Sequence, residues 1–149
     1  MRLAVNGSTV YAVFVRWDSL VEDDTAGSRY QSHVVVVRSD NAGADSFTAL
    51  GTGGIGSNVA QTIATFSNTD NSSLTLGQER TGSDLAIAVD PSNPNHLIVG
   101  YENAPGANGS GRLQLIVSES TDGGMTWTTK FTTDSMTRSA QPALAVPGR

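Results

Sequence analysis

Apolar residues along this chain come in short runs, each closed by Gly, Asn, Asp or Pro. Leu3-Ala4-Val5 is followed by Asn6-Gly7, a dipeptide suited to a tight hairpin. Thr9 to Trp17 then reads as a strand, and Asp18 to Arg29 as a polar, acidic loop. Ser32 to Arg38 carries four consecutive valines, Val34 to Val37, the pattern of a strand covered on both faces. Ser39 to Ser46 is turn-like, and Phe47 opens another short strand. Gly51 to Ser83 is broken early by glycines. Within it Gln61 to Phe66 and Ser73 to Leu76 are strand candidates. No segment holds an apolar stripe at helical spacing.

The order then restarts. Asp84 to Val89 matches the opening strand, Asp90 to Asn95 is a dense turn signal, and His96 to Tyr101 is a strand. Asn103 to Gly111 reads as a loop, Leu113 to Val117 as a strand, Ser120 to Gly124 as a turn and Thr126 to Thr132 as a strand. Ala143-Leu144-Ala145-Val146 looks like the opening strand a third time. Val5 matches Val89 at an offset of 84, and Ser39 matches Ser120 at an offset of 81. At the first offset Trp17-Asp18 aligns with Tyr101-Glu102. A repeated meander of four strands, A to D, is the mark of a β-propeller. The expected fold is therefore all-β, a partial β-propeller of four-stranded antiparallel blades in one domain, 1–149. Blade 1 spans about 1–50, an irregular connection 51–83, blade 2 about 84–133, and the first strand of blade 3 about 141–146.

Composition narrows the function classes. One Lys and eight scattered Arg give a net charge of −5, which argues against a nucleic-acid partner. The absence of Cys excludes disulfide scaffolds, cysteine metal sites and thiol nucleophiles. No apolar run approaches the roughly 20 residues that span a bilayer, and residues 1–20 show no signal-peptide pattern. The residues that remain are small and polar, with 17 Ser, 16 Thr and 16 Gly, as in a turn-rich β protein.

Ser120-Thr121-Asp122-Gly123-Gly124-Met125-Thr126-Trp127 reads S-x-D-x-G-x-T-W. It resembles the Asp-box, or BNR, repeat of sialidase-like propellers in all five fixed positions: Ser120, Asp122, Gly124, Thr126 and Trp127. A decayed copy lies at Ser39, Asn41, Gly43 and Phe47, with one extra residue before the aromatic. Ile87 to His96 is also similar to strands A and B of that family. The box residues suit a structural task. Ser120 and Asp122 can bond backbone groups of the turn, Gly124 can take a positive φ, and Trp127 can bury its ring against the sheet.

The resemblance implies ligand contacts on the end opposite the boxes, where the B–C and D–A connections are long, and long loops on a rigid scaffold carry function. Trp17, Asp18, Tyr101 and Glu102 are the candidate ligand residues there. An aromatic platform beside a carboxylate suits a sugar. The alternative is that the aromatic packs between blades while the acid caps the strand end. Glu22-Asp23-Asp24 could hold a cation or form a solvated loop. Asp40, Asp45 and Asp70 lack calcium-loop spacing. His33 and His96 lack partners at metal or triad spacing and read as structural. Gly51 to Gly56 resembles a dinucleotide fingerprint without the helix it needs.

Sialidase-like enzymes carry an Arg-Ile-Pro strand, an arginine cluster, an acidic acid/base and a tyrosine–glutamate pair. The nearest echo is Ala140 to Leu144, with Ala140 where the arginine is expected, so no catalytic residue carries over. Tyr101 and Glu102 are neighbours in a strand and point to opposite faces, so they cannot form that pair together. Any activity would be of the exo-sialidase, glycoside hydrolase type. No metal and no cofactor are expected. Two repeats and one further strand do not close a ring. The expectation is a fragment of a secreted or surface protein that acts on or binds glycans, completed by further blades in cis or by self-assembly. The alternatives are a non-catalytic propeller binding protein or polysaccharide, and a structural repeat of a large surface protein.

Overall fold

β-Branched and aromatic residues alternating with small polar ones build nine strands in the computed structural model, which describes residues 1–21, 28–50, 57–66, 84–103, 114–134 and 142–147. The described residues contain no helix. The strands are β1 (Arg2–Asn6), β2 (Thr9–Val21), β3 (Ser28–Ser39), β4 (Thr48–Ala49), β5 (Ser57–Phe66), β6 (Ala86–Asp90), β7 (Asn93–Asn103), β8 (Gln114–Ser120) and β9 (Thr128–Thr132). They form two antiparallel sheets. The first has the order β1-β2-β3-β4, with β5 also paired to β3, and the second has the order β6-β7-β8-β9.

The inner faces of the two sheets pack together. Ala4, Tyr11, Val13, Val34, Val36 and Leu50 of the first sheet meet Leu85, Ile87, Leu97, Val99 and Tyr101 of the second, with Val15, Val89, Ile116 and Trp127 at the margin. The valine run of β3 is covered on both faces, as its composition requires: Val34, Val35 and Val36 are fully buried.

Several expected boundaries move. Asp18 to Arg29 is not wholly loop, because β2 and β3 stay laddered as far as Val21 and Arg29. A bulge between Trp17 and Ser19 leaves Asp18 as the extra residue, which is how a polar stretch stays inside a strand pair. The stretch 51–83, read as irregular, contains β5, which continues along β3 where β4 leaves off. Ser73 to Leu76, Gly51 to Gly56, Glu22 to Asp24, Asp70 and Ala140 lie outside the described residues.

Residues 142–147 form no strand, contrary to the expected opening of a third blade. Pro142 and Pro147 bring no N–H to a ladder. The segment alternates half-buried and exposed positions and rests on β7, where a β-carbon at Gly100 would fall 2.9 Å from Pro142 Cβ and 3.3 Å from Leu144 Cδ1.

Candidate functional site

The polar chemistry of the described residues gathers at one end, where the β1–β2, β3–β4, β6–β7 and β8–β9 turns meet. At the β8–β9 corner, Ser120 Oγ accepts from Gly124 N at 2.9 Å and donates to Asp122 Oδ1 at 2.8 Å. Asp122 accepts from Met125 N (3.0 Å), Thr126 N (2.9 Å) and Thr126 Oγ1 (2.6 Å). Those bonds, the Thr126 hydroxyl first, hold its carboxyl down to about 2. Gly123 and Gly124 take φ of 75° and 90°, and Trp127 Nε1 donates to Gly124 O at 3.1 Å. All five residues read as structural, Ser120, Asp122, Gly124, Thr126 and Trp127, thus lie in one turn.

The β3–β4 corner is a variant of the same turn. Ser39 Oγ accepts from Gly43 N at 3.0 Å and Asn41 N at 3.4 Å, and Ala42 and Gly43 take positive φ. The carboxylate that receives the Ser39 hydroxyl is Asp45 rather than a residue at position 41. Phe47 lies exposed on the outer face of the first sheet.

Each corner is tied to the neighbouring A–B turn by one backbone bond. Ala42 N donates to Ser8 O at 2.7 Å, and Gly123 N donates to Asn95 O at 2.9 Å. Side chains of the first sheet then reach the turn of the second. Asn6 Nδ2 donates to Asp90 O at 2.8 Å, Tyr11 OH to Pro94 O at 2.8 Å, and Arg38 Nη1 to Asn95 Oδ1 at 3.3 Å. Burial raises the Tyr11 phenol above its ordinary value of 10.0, against the lowering effect of Arg38. The hairpin differs from expectation in one detail. Asn6 pairs with Thr9, so Gly7-Ser8 form the bend and Asn6 serves the seam between sheets.

The register corrects the alignment of the candidate ligand residues. Ser39 pairs with Val10 and Ser120 pairs with Leu97, so Val10 and Leu97 are equivalent, 87 residues apart. Four residues separate Val5 from its partner Val10, and seven separate Val89 from its partner Leu97. The longer second turn shifts strand B. Tyr101 therefore matches Phe14, Glu102 matches Val15, and Trp17 matches position 104, outside the described residues. Trp17-Asp18 and Tyr101-Glu102 are not repeat equivalents. Tyr101 is 3% exposed, packs in the seam, and lies 3.5 Å from Ser118 Oγ through its hydroxyl. Glu102 is 1% exposed. Neither offers an open sugar platform. Trp17 and Asp18 are placed by their backbone in β2, at the bulge.

One cluster was not foreseen from spacing. His96 Nδ1 lies 3.2 Å from Asp90 Oδ2, and His96 Nε2 lies 2.9 Å from Glu119 Oε1, whose other oxygen lies 2.7 Å from Lys130 Nζ. Hydrogen bonds to Glu119 and then Asp90 raise the His96 pKa above 6.5. Bonds from Ser92, and then from His96, hold Asp90 down to about 2, and Lys130 followed by His96 lowers Glu119. With both ring nitrogens engaged by carboxylates, His96 clamps the end of β6 to β8, an arrangement that favours its protonated form. Among the described residues no group of three or more His, Asp or Glu is placed to hold a metal ion, and no helix is long and apolar enough to cross a membrane. His33 lies 3.4 Å from Arg16 Nη2 through Nδ1.

No family model, curated protein or solved structure matches this chain.

Proposed function

We propose that the two sheets are successive blades of a sialidase-like, Asp-box β-propeller, and that the protein binds glycan or polysaccharide ligands on the end away from the boxes. The observation that carries this reading is the pair of matching corners. In each meander the turn after strand C is built on a serine hydroxyl, takes positive φ at two successive residues, and donates one N–H to the A–B turn of its own sheet. Two meanders with one corner chemistry, stacked face to face, are what consecutive blades require.

The box end is occupied by turn and seam bonds, so ligand contacts fall to the opposite end, where the B–C and D–A connections run. Binding without turnover is favoured over hydrolysis by one specific observation. Tyr101 and Glu102, a tyrosine and a carboxylate of the kind a sialidase-type reaction uses, are buried and lie on opposite faces of β7. A surface or secreted setting fits this reading. Fluorogenic sialosides and other glycosides test for turnover, and a glycan array tests for binding. Array binding with no turnover is the expected result. Turnover would move the reading to a hydrolase, and an empty array would overturn the glycan assignment.

A further inference from the structure

We propose that the outer face of the first sheet is a docking surface for the second sheet of another copy of this chain, so that copies join head to tail. The proposal rests on the blade reading above and names the partner that extends the ring.

The register identifies the face. Leu3 pairs with Ala12 as Ile87 pairs with Val99, and Phe14 holds the place of Tyr101. Phe47 follows the first corner as Trp127 follows the second. In the second sheet this face is buried: Ile87, Val99 and Tyr101 lie in the core against the first sheet. In the first sheet the same face is open along β1 and at the corner, while Val10, Ala12 and Val35 nearer its centre are buried. Leu3 is 55% exposed and Phe47 40%, and with Met1, Ala12, Phe14 and Val37 they line an open apolar groove of about 390 Å³. An exposed apolar face of this kind marks an interaction surface.

The same register identifies the occupant. The second sheet's buried face is covered by the first sheet's inner face, represented by Ala4, Tyr11, Val13 and Val36. The repeat images of those four residues are Ala88, Ile98, Gly100 and Val117, on the far face of the second sheet. Each copy therefore carries both halves of one joint, the groove on its first sheet and the complement on its second. A joint between unlike faces is heterologous, and it closes into a ring or grows.

The complementary face is not wholly open. Pro142 and Leu144 lie over Gly100, on the far face of the second sheet. β6 runs along the inner face of the first sheet in the same manner, held by Arg2 Nε to Leu85 O at 3.2 Å and Asn6 Nδ2 to Asp90 O at 2.8 Å. Residues 142–147 have no ladder partner among the described residues, and on the outer part of the face Leu115 and Val117 of β8 stay half-buried. An arriving first sheet displaces 142–147 and takes that seat.

Sedimentation equilibrium over a wide concentration range reads the assembly directly. The wild type is expected to rise above the 15.5 kDa of one chain as concentration increases. Leu3→Glu blocks the groove and Val117→Glu blocks its complement, so each variant alone stays at one chain. An equimolar mixture of the two retains one intact joint and is expected to double in mass and stop there. Circular dichroism checks that both variants keep their sheet content, and Phe47→Glu replaces Leu3→Glu if that variant unfolds. A wild type that stays at one chain throughout overturns the proposal. So does self-association of Val117→Glu at wild-type strength, which would mean two grooves face each other, and so does a mixture that stays monomeric. A monomer whose two sheets still give the nuclear Overhauser contacts of the seam leaves the blade reading standing; a monomer without them ends both.

Discussion

Two positions three residues past a serine, Ala42 and Gly123, hold the same place in their turns and the same left-handed conformation, with φ of 52° and 75°. Left-handed backbone costs an L-residue about 1–2 kcal/mol, and glycine escapes that cost. Ala42→Gly is therefore expected to stabilise the protein by about 0.5–1 kcal/mol in urea unfolding, after the extra entropy of a glycine in the unfolded chain. Gly123→Ala acts in the opposite sense and more strongly. Its β-carbon would sit 2.9 Å from Arg38 Nη1 and 3.1 Å from Asn95 Oδ1, at the seam. Asp122→Ala removes the acceptor for two turn N–H groups and the Thr126 hydroxyl, and a loss of about 1–3 kcal/mol is expected in the same measurement. If Asp122 served only a distant ligand, that substitution would leave the unfolding midpoint where it is.

At the scale of an element, the His96 clamp gives strand pairing a pH dependence. The folded protein holds the His96 proton more tightly than the unfolded chain does, because its pKa is raised above 6.5. That contribution is complete below 6.5 and is lost as pH rises through the folded value. Asp90 and Asp122 have the opposite sense. Lowered from 3.8 to about 2, they stabilise above 3.8, and that part is lost as pH falls toward 2. Glu119, lowered from 4.5, has the same sense as the two aspartates, so urea midpoints measured against pH should be highest between about pH 4.5 and 6.5. His96→Gln should flatten the alkaline side and weaken the acid side only in part, because Ser92 still holds Asp90 down, Lys130 still lowers Glu119, and Asp122 does not depend on His96. An unchanged alkaline limb in that variant would show that His96 contributes nothing to it.

Elements also show what could be read from residue order and what could not. The corners were legible because their chemistry is local: Ser120 to Trp127 contains both partners of the side-chain bonds that shape its turn. The all-β class was legible from short alternating runs. The match of Trp17 to Tyr101 failed because it followed residue likeness, whereas register follows turn length, and the second A–B turn is three residues longer. The clamp was hidden for a related reason. His96 and Glu119 are 23 residues apart and meet only through the β7–β8 ladder. β5 was seen only in part, because its start at Ser57 is fixed by pairing with β3 and not by its own pattern.

On the scale of the whole molecule, two sheets share one apolar seam, pinned at the corner end by Asn6, Tyr11 and Arg38. Tyr101 belongs to that seam. Tyr101→Ala is expected to cost about 3–5 kcal/mol, the range for emptying a large aromatic site in a core. Tyr101→Phe keeps the ring and should bind glycans as the wild type does on an array; a selective loss of binding in a stable Tyr101→Phe protein would restore that residue to the ligand site.

The stacking of the first sheet on the second is the claim from which both the blade reading and the head-to-tail joint descend. A nuclear Overhauser spectrum of the methyl-labelled protein tests it most directly. Leu50 Cδ1 would lie 3.0 Å from a β-carbon at Gly124, so the Gly124 α-protons and a Leu50 methyl group are expected to show a strong cross-peak. A spectrum in which each sheet shows its own cross-strand contacts while the Gly124–Leu50 peak is absent would contradict the account.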